Sequence, residues 1–503
     1  MDAVAARIQA MANLPLTVHY EMIPSTSISE GLPEVWNLRC LHCRGALTSG
    51  ASSLACAGCG RQYPIIAGVP LLVGEPIEYL RSELELLNRA VRDGKRRRDM
   101  LDKGGRDTGL TTASLDRHGD VIDAELARAA TFLALLEPAA KVLEGTPDSS
   151  AESRSVRRSG WDFNSLFPYL LRDWTGTTEL QAANSLINAA LRQAFPDPAG
   201  ILVAFAGCGA GGLLAEIPPD FEYVIGFDLT LPVLVAARHL LDGKNIALDM
   251  PRAIHEPGRI TLHNRTPLAA GARRELMAMD AFDAAFVDSS VDCVVTSFLI
   301  DLIPDPRRLA DEIHRILSPN GIWINYGPSG PLRALWRFDG SESAAFLEVS
   351  GFSVVQADAY RATYLDLSRD CPSWSFQNHM NYLTSARKTG QGREKTEAMT
   401  PSLAEIPQLI PEHFPGATLI KRERLDADRK HTIHLRHERR PGVVENLDID
   451  GDAARIIALV DGNATVFEIA NMLKPGLAVE ETIRVFERYF NTGVLSWRDR
   501  PAV

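Results

Sequence analysis

The sequence predicts an α/β protein: a doubly wound, mostly parallel sheet at the centre, a small metal-stapled unit before it and a small α+β unit after it. Three observations carry this expectation. Four cysteines stand as two C-x2-C pairs, "CLHC" (40–43) and "CAGC" (56–59), twelve residues apart. From about 161 to 390, apolar strand-like runs alternate with helical segments, the pattern of a parallel sheet covered on both faces. Within that region an apolar run, "GILVAFAGCGAGGLLAEI" (200–217), passes into a glycine-rich turn that opens a helix. At 503 residues the chain is too long for one core.

Bulk properties narrow the function classes. Apolar content of 45% and charged content of 23% are those of an ordinary globular protein. No apolar stretch approaches the ~18–20 residues of a membrane span. The opening "MDAVAARIQAM" has neither the basic nor the apolar region of a signal peptide, so a cytoplasmic location is expected. A net charge of −11 disfavours broad attachment to nucleic acid. The basic run "GKRRRDM" (94–100) reads as part of a solvated helix or linker. Seven cysteines in this length make no disulfide scaffold; their placement suggests metal in a reducing compartment.

In chain order, residues 1–32 form an N-terminal segment without a strong signal. Residues 33–76 hold the cysteine pairs and end in "YPIIAGVPLLVG", two short strands around a glycine turn. Residues 77–160 are charged and helix-like, a helical linker region ending in the loop "LEGTPDSSAESRSVRRSG" (143–160). The α/β region of 161–390 follows, closed by the polar boundary "ARKTGQGREKTEAM" (386–399). Residues 400–503 make the last unit, with a strand at "TIHLRHE" (432–438) and two or three amphipathic helices.

Each C-x2-C turn presents two thiolates, and Cys40, Cys43, Cys56 and Cys59 together satisfy the tetrahedral preference of Zn²⁺. Four thiolates leave no open position for water, so the metal is structural: it staples a unit too small for its own core. His42 reads as an exposed spacer. With "YPIIAGVPLLV" behind the last pair, Cys40 to Val73 resembles the zinc-ribbon activator proteins of tRNA and protein methyltransferases. It also looks like the ribbon fused to certain rRNA methyltransferases.

Gly207, Gly209 and Gly211 let the backbone turn tightly and approach a ligand. The next strand, "YVIGFDLT" (223–230), ends in Asp228, an acid placed to hold two ribose hydroxyls. A dinucleotide and S-adenosyl-L-methionine (SAM) both present a ribose there. The stretch "AMDAFDAAFVDSSVDCVVTSFLIDLIPDPRRLADEIHRILSPNGIWINYGP" (278–328) resembles the second half of a Rossmann-like class I SAM methyltransferase. In that resemblance Asp280 accepts from the adenine amino group, and Asp292 precedes the fourth strand. The acid that many such enzymes place two residues before the first glycine is Phe205 here.

"VVTSFLIDLIPDP" (294–306) reads as a buried strand over Val294–Ile300 with Asp301 closing it, at the end where ligands of such sheets sit. An unpaired carboxylate there would be costly unless it worked as a base or anchor; the other reading is a helix N-cap. Together with "FPYLLRDWTG" (167–176), "ATYLDLS" (362–368) and "NYLTSAR" (381–387), this segment resembles the carnosine N-methyltransferase family over roughly 161–388. That family methylates an imidazole nitrogen of a histidine-containing dipeptide. The resemblance implies that Arg172 contacts the SAM carboxylate, that Asp301 binds the imidazole N–H, and that Tyr364 lines the acceptor pocket. His379, Asn381 and Tyr382 are weaker pocket candidates. After the Gly-Pro, "SGPLRALW" (329–336) departs from the family pattern and lacks its pocket histidine, so Arg333 or Trp336 would reshape the site.

In the last unit, Thr465 and Glu468 of "VDGNATVFEIA" form a capping-box pattern within what reads as helix, turn, helix and a longer helix (447–497). The unit resembles PqqD-like winged-helix domains, which implies binding of a precursor peptide; a generic winged helix for assembly is the other reading. The sequence therefore points to a SAM-dependent N-methyltransferase acting on the imidazole of a small molecule or a ribosomally made peptide. The competing readings are an RNA methyltransferase whose zinc ribbon reads nucleic acid, and a non-catalytic SAM-binding adaptor.

Overall fold

The computed structural model describes residues 36–144, 163–390 and 410–498, apart from 105–108, 110, 250–257, 266–271, 304–305, 329–339, 367–375, 413–417, 426–430, 441–442, 450–455, 458, 461–462, 474–478 and 492–495. The N-terminal segment, most of the loop read at 143–160, Arg333 and Trp336 lie outside these residues.

The cysteine-bearing unit is an antiparallel ribbon of β1 (Leu47–Ser49), β2 (Ser53–Cys56), β3 (Gln62–Ile66) and β4 (Val69–Leu72). The expected turn between β3 and β4 is present: Ala67 and Gly68 both have positive φ, 46° and 84°, as a two-residue hairpin requires.

The central sheet is built from β5 (Leu202–Ala206), β6 (Tyr223–Asp228), β9 (Arg273–Met279), β10 (Val291–Ser297), β11 (Leu317–Gly327), β12 (Phe352–Asp366) and β13 (Phe376–Lys388). Between β6 and β9 the chain makes a separate antiparallel pair, β7 (Ile246–Asp249) and β8 (Arg259–Leu262). The order β9-β6-β5-β10-β11-β13-β12 is parallel from β9 to β11 and antiparallel for β13 and β12. Strand order reverses between β5 and β10, which opens a crevice at their carboxyl ends. Sequence reading and structure agree on this Rossmann-like α/β architecture.

Two expectations are corrected. The cysteine-bearing unit is not separate from the sheet: β4 pairs in parallel with β9, Leu71 with Ala278 and Leu72 with Met279, so the ribbon extends the sheet to eleven strands among the described residues. Nor are residues 77–144 a linker. Helices Pro76–Gly104 and Thr112–Leu135 pack on each other, and Tyr79, Leu80, Leu87 and Phe132 are buried in one apolar cluster with Val203, Val224 and Leu234. Charge density hid this, because each helix buries only one stripe. The run at 94–100 lies on the first helix as expected, and the second helix neutralises it: Arg97 pairs with Glu125 and Arg98 with Asp123.

The last unit contains β14 (Ile410–Glu412) paired with β18 (Ser496–Arg498), and an antiparallel sheet of β15 (Thr418–Leu425), β16 (His431–Arg440) and β17 (Val443–Ile449). Helices Val466–Met472 and Val479–Asn491 follow β17. The capping box is formed: the Glu468 amide donates to Thr465 Oγ1 at 3.2 Å, and the Thr465 amide donates to Glu468 Oε2 at 2.8 Å. Residues 447–449, read as the start of a helix, belong to β17.

Candidate active site

The crevice holds a cavity of about 240 Å³ at the carboxyl ends of β5, β6, β9 and β10. Small residues shape its floor. The Gly207 amide donates to Phe227 O at 2.8 Å and the Cys208 amide to the same oxygen at 3.1 Å, tying the turn after β5 to β6. Gly209 has φ 53°, and a Cβ added there would meet nothing within 4 Å, so this position faces open space. Gly207 and Gly209 line the cavity; Gly211 does not. Its φ of 79° serves the turn into the next helix, where its amide donates to Cys208 O.

Asp228 lines the cavity and organises the same turn. Its Oδ2 accepts the Gly209 amide at 3.0 Å and its Oδ1 the Thr230 amide at 2.9 Å. Burial pushes its carboxyl pKa up, against hydrogen bonds that favour the anion. Asp280, just past β9, also lines the cavity and accepts the Phe282 amide at 2.9 Å. Asp292 is remote: it accepts from the Leu202 amide and from Ser318 Oγ at the other end of the strands, a structural role.

The segment "RDW" docks on the glycine turn from the end of helix Phe163–Trp174. Trp174 Nε1 donates to Ala210 O at 2.8 Å. Asp173 Oδ2 accepts the Gly212 amide at 3.1 Å, and Arg172 Nε donates to Asp173 Oδ1 at 2.8 Å. The Arg172 guanidinium lies 5.6 Å from the centroids of both Tyr169 and Phe298. Arg172 and Asp173 both line the cavity, and Asp173 was not anticipated from the sequence. The signal was available, since Phe205 leaves the end of β5 without an acid.

Asp301 requires a correction. β10 ends at Ser297, because Phe298 takes φ 51° and turns the chain, so Asp301 sits in the turn beyond rather than closing the strand. It does not line the larger cavity. Its neighbour Leu302 does, while Ile300 lines a second, small cavity with Asn325, Ser343, Phe346, Tyr382 and Thr384. Asp301 is 5% exposed, and its Oδ1 has no hydrogen-bond partner among the described residues. Burial raises its pKa to about 7, opposed by its own backbone N–H. A buried, incompletely satisfied carboxyl costs stability.

Asn381 is fully buried and donates to Tyr326 Oη at 3.2 Å, leaving its Oδ1 without a partner among the described residues. Ser297 Oγ, on the cavity wall, is likewise unpartnered among them. Tyr364 stands at a register shift between β12 and β13; its side chain, like that of His379, lies outside the described residues.

Residues 205–325 match the family model described as "Methyltransferase domain". This segment of the chain is similar to methyltransferase domains. The glycine turn, Asp228 and Asp280, the features expected to receive SAM, all fall within the matched methyltransferase segment, whereas Arg172 and Asp173 precede it. Over 204 residues the chain is 26% identical to carnosine N-methyltransferase of Rattus norvegicus, covering 36% of this chain and 49% of that protein. To carnosine N-methyltransferase of Dictyostelium discoideum it is 40% identical over 52 residues, 10% of this chain and 11% of that one. It is also 30% identical over 162 residues to demethylmenaquinone methyltransferase of Symbiobacterium thermophilum, covering 31% of this chain and 61% of that protein. The chain thus spans about half the length of the rat relative.

A second site lies in the ribbon. The Sγ atoms of Cys40, Cys43, Cys56 and Cys59 all fall within 4.8 Å of one another. Cys40 and Cys59 are 3.7 Å apart, and Cys43 and Cys56 3.3 Å, close to the ~3.8 Å edge of a tetrahedron with metal–sulfur bonds of ~2.3 Å. Tyr63, buried beside them, has its hydroxyl 3.2 Å from Cys40 Sγ.

Proposed function

We propose that this protein is a SAM-dependent N-methyltransferase that methylates an imidazole nitrogen of a histidine-containing small molecule or ribosomally made peptide. The observation that carries the reading is the convergence of Arg172, Gly207, Gly209, Asp228 and Asp280 on one cavity, with a buried carboxyl, Asp301, in the adjoining turn. Bound SAM supplies a sulfonium-activated methyl group. Arg172 would hold the amino-acid carboxylate, Asp228 the ribose hydroxyls and Asp280 the adenine amino group.

Asp301 would accept the imidazole N–H, fix the tautomer and direct the other nitrogen's lone pair towards the methyl. As the ring is methylated it must lose a proton, and a carboxyl with a pKa near 7 is suited to take it. Tyr364 would line the acceptor pocket. The acceptor assignment draws on the likeness to carnosine N-methyltransferases.

The four cysteines would hold one structural Zn²⁺, with no position left for catalytic water. The last unit would act as a PqqD-like peptide-binding domain, its three-stranded sheet offering an edge to an extended precursor peptide.

Methyl transfer from radiolabelled SAM to carnosine, to histidine-containing peptides and to total RNA tests the reading. Labelling of the first or second class, lost in Asp301→Asn, supports it. Labelling of RNA alone, or turnover untouched by Asp301→Asn, overturns it.

A further inference from the structure

We infer that Asp173 binds the α-ammonium group of SAM, so that the consecutive pair Arg172–Asp173 clamps both charges of the cofactor's amino-acid end. The inference rests on the SAM reading above and deepens it.

Three acids line the cavity, Asp173, Asp228 and Asp280, each carried by a different segment of the chain. Asp228 is engaged by Gly209 and Thr230 at the ribose position, and Asp280 by Phe282 beyond β9. Asp173 is the acid that abuts the far side of the glycine turn. Its contact there is close: a Cβ on Gly212 would lie 2.5 Å from Asp173 Cβ. The end of β5, which could have supplied an acid, supplies Phe205 instead.

Charge balance points the same way. The Asp173 side chain is 3% exposed and that of Arg172 11%, so the pair is a nearly desolvated dipole on the cavity wall. A zwitterionic amino acid laid against it pairs carboxylate with guanidinium and ammonium with carboxylate, leaving no charge alone. Without Asp173, the ligand ammonium would enter this apolar wall, beside Phe298 and Leu166, with no counter-charge. Asp173 has the capacity: a carboxylate offers about four acceptor positions, and the Arg172 and Gly212 bonds leave room for a further donor. Trp174, bonded to Ala210, and the Arg172 contact over Phe298 hold the segment in place for this task.

Calorimetry on the full chain tests the clamp with three ligands: S-adenosylhomocysteine, its des-amino analogue and 5′-methylthioadenosine, which lacks the whole amino-acid end. In the native protein, removing the amino group should weaken binding about 10–100-fold, the worth of a charge-assisted hydrogen bond. Asp173→Asn should weaken S-adenosylhomocysteine by a similar factor and leave 5′-methylthioadenosine within about twofold. Equal loss for both ligands would make Asp173 a scaffold residue only and overturn the inference; so would no loss for either. Should Asp173→Asn fail to fold, the native protein still decides, since equal affinity for S-adenosylhomocysteine and its des-amino analogue refutes the clamp. Failure of the native protein to bind any of the three ligands would instead refute the SAM reading itself, and the clamp with it.

Discussion

Leu72 and Met279 are register partners in a parallel strand pair, which joins the cysteine ribbon to the strand that delivers Asp280. Further contacts reinforce the join: the Arg39 amide donates to Ala285 O at 2.7 Å, and Arg39 pairs with Asp288 at 2.6 Å. The loop after Asp280 is therefore packed against the cysteine unit.

Metal removal should consequently be felt at the cofactor cavity. Elemental analysis should find one zinc per chain, and a strong chelator should lower both the melting temperature and the affinity for S-adenosylhomocysteine. A Cys43→Ser, Cys59→Ser double variant should do the same, with affinity reduced roughly tenfold. Unchanged calorimetric affinity in a metal-free protein would show that the ribbon is energetically separate.

Asp228→Ala removes a carboxylate that serves two masters, the proposed ribose and the amides of Gly209 and Thr230. Affinity for S-adenosylhomocysteine should fall about 100-fold, with stability lowered by about 1–2 kcal/mol because two amides lose their partner. Retention of native affinity in titration calorimetry would show that the acid serves only the turn.

Asp301 provides a pH test with a defined sign. Its carboxyl titrates near 7 in the folded protein and near 4 when unfolded. Its protonated form is thus favoured by folding: the associated stability is complete below about 4 and is lost as pH rises through about 7. Asp301→Asn lacks this loss, so in urea titrations its advantage should grow from near zero at pH 4 to at most about 4 kcal/mol at pH 8. Methyl transfer in the native protein should rise with pH through the same window, as the anion that accepts the acceptor's N–H appears. A variant less stable than native at pH 8 would contradict the assigned environment.

Tyr79→Phe addresses the helices between the ribbon and the sheet. Tyr79 Oη donates to Leu229 O at 3.0 Å, and Glu83, 1% exposed, accepts the Leu231 amide at 3.2 Å, so this helix braces the loop after Asp228. Loss of the hydroxyl should cost about 1 kcal/mol in denaturant titration and a few-fold in S-adenosylhomocysteine affinity. No change in either would place the helix outside the site.

The glycine turn and the acids Asp228 and Asp280 on the cavity wall were legible because local chemistry dictates them. A tight glycine turn after an apolar strand, and acids directly after two others, are needed wherever a chain brings its backbone up to a ribose. The same holds for the cysteine pairs, whose spacing alone presents four thiolates, and for the Thr465–Glu468 cap, which closes within four residues. The turn that carries Asp301 was less legible. The positive φ at Phe298 ends β10 three residues before the apolar pattern does, and nothing in an apolar run announces a turn. Asp173 escaped notice because its partner, Gly212, lies 39 residues away.

By itself, the sequence determined the cysteine quartet, the glycine turn and the acids Asp228 and Asp280 at the ends of their strands, since each depends on residues close in the chain. Only tertiary structure decided that the ribbon would join the sheet beside Met279, that the charged helices would brace the loop after Asp228, and that Asp301 would be buried in the turn beyond β10. Those outcomes depend on desolvation and on pairing between segments far apart in sequence, and periodicity carries no record of which surfaces meet.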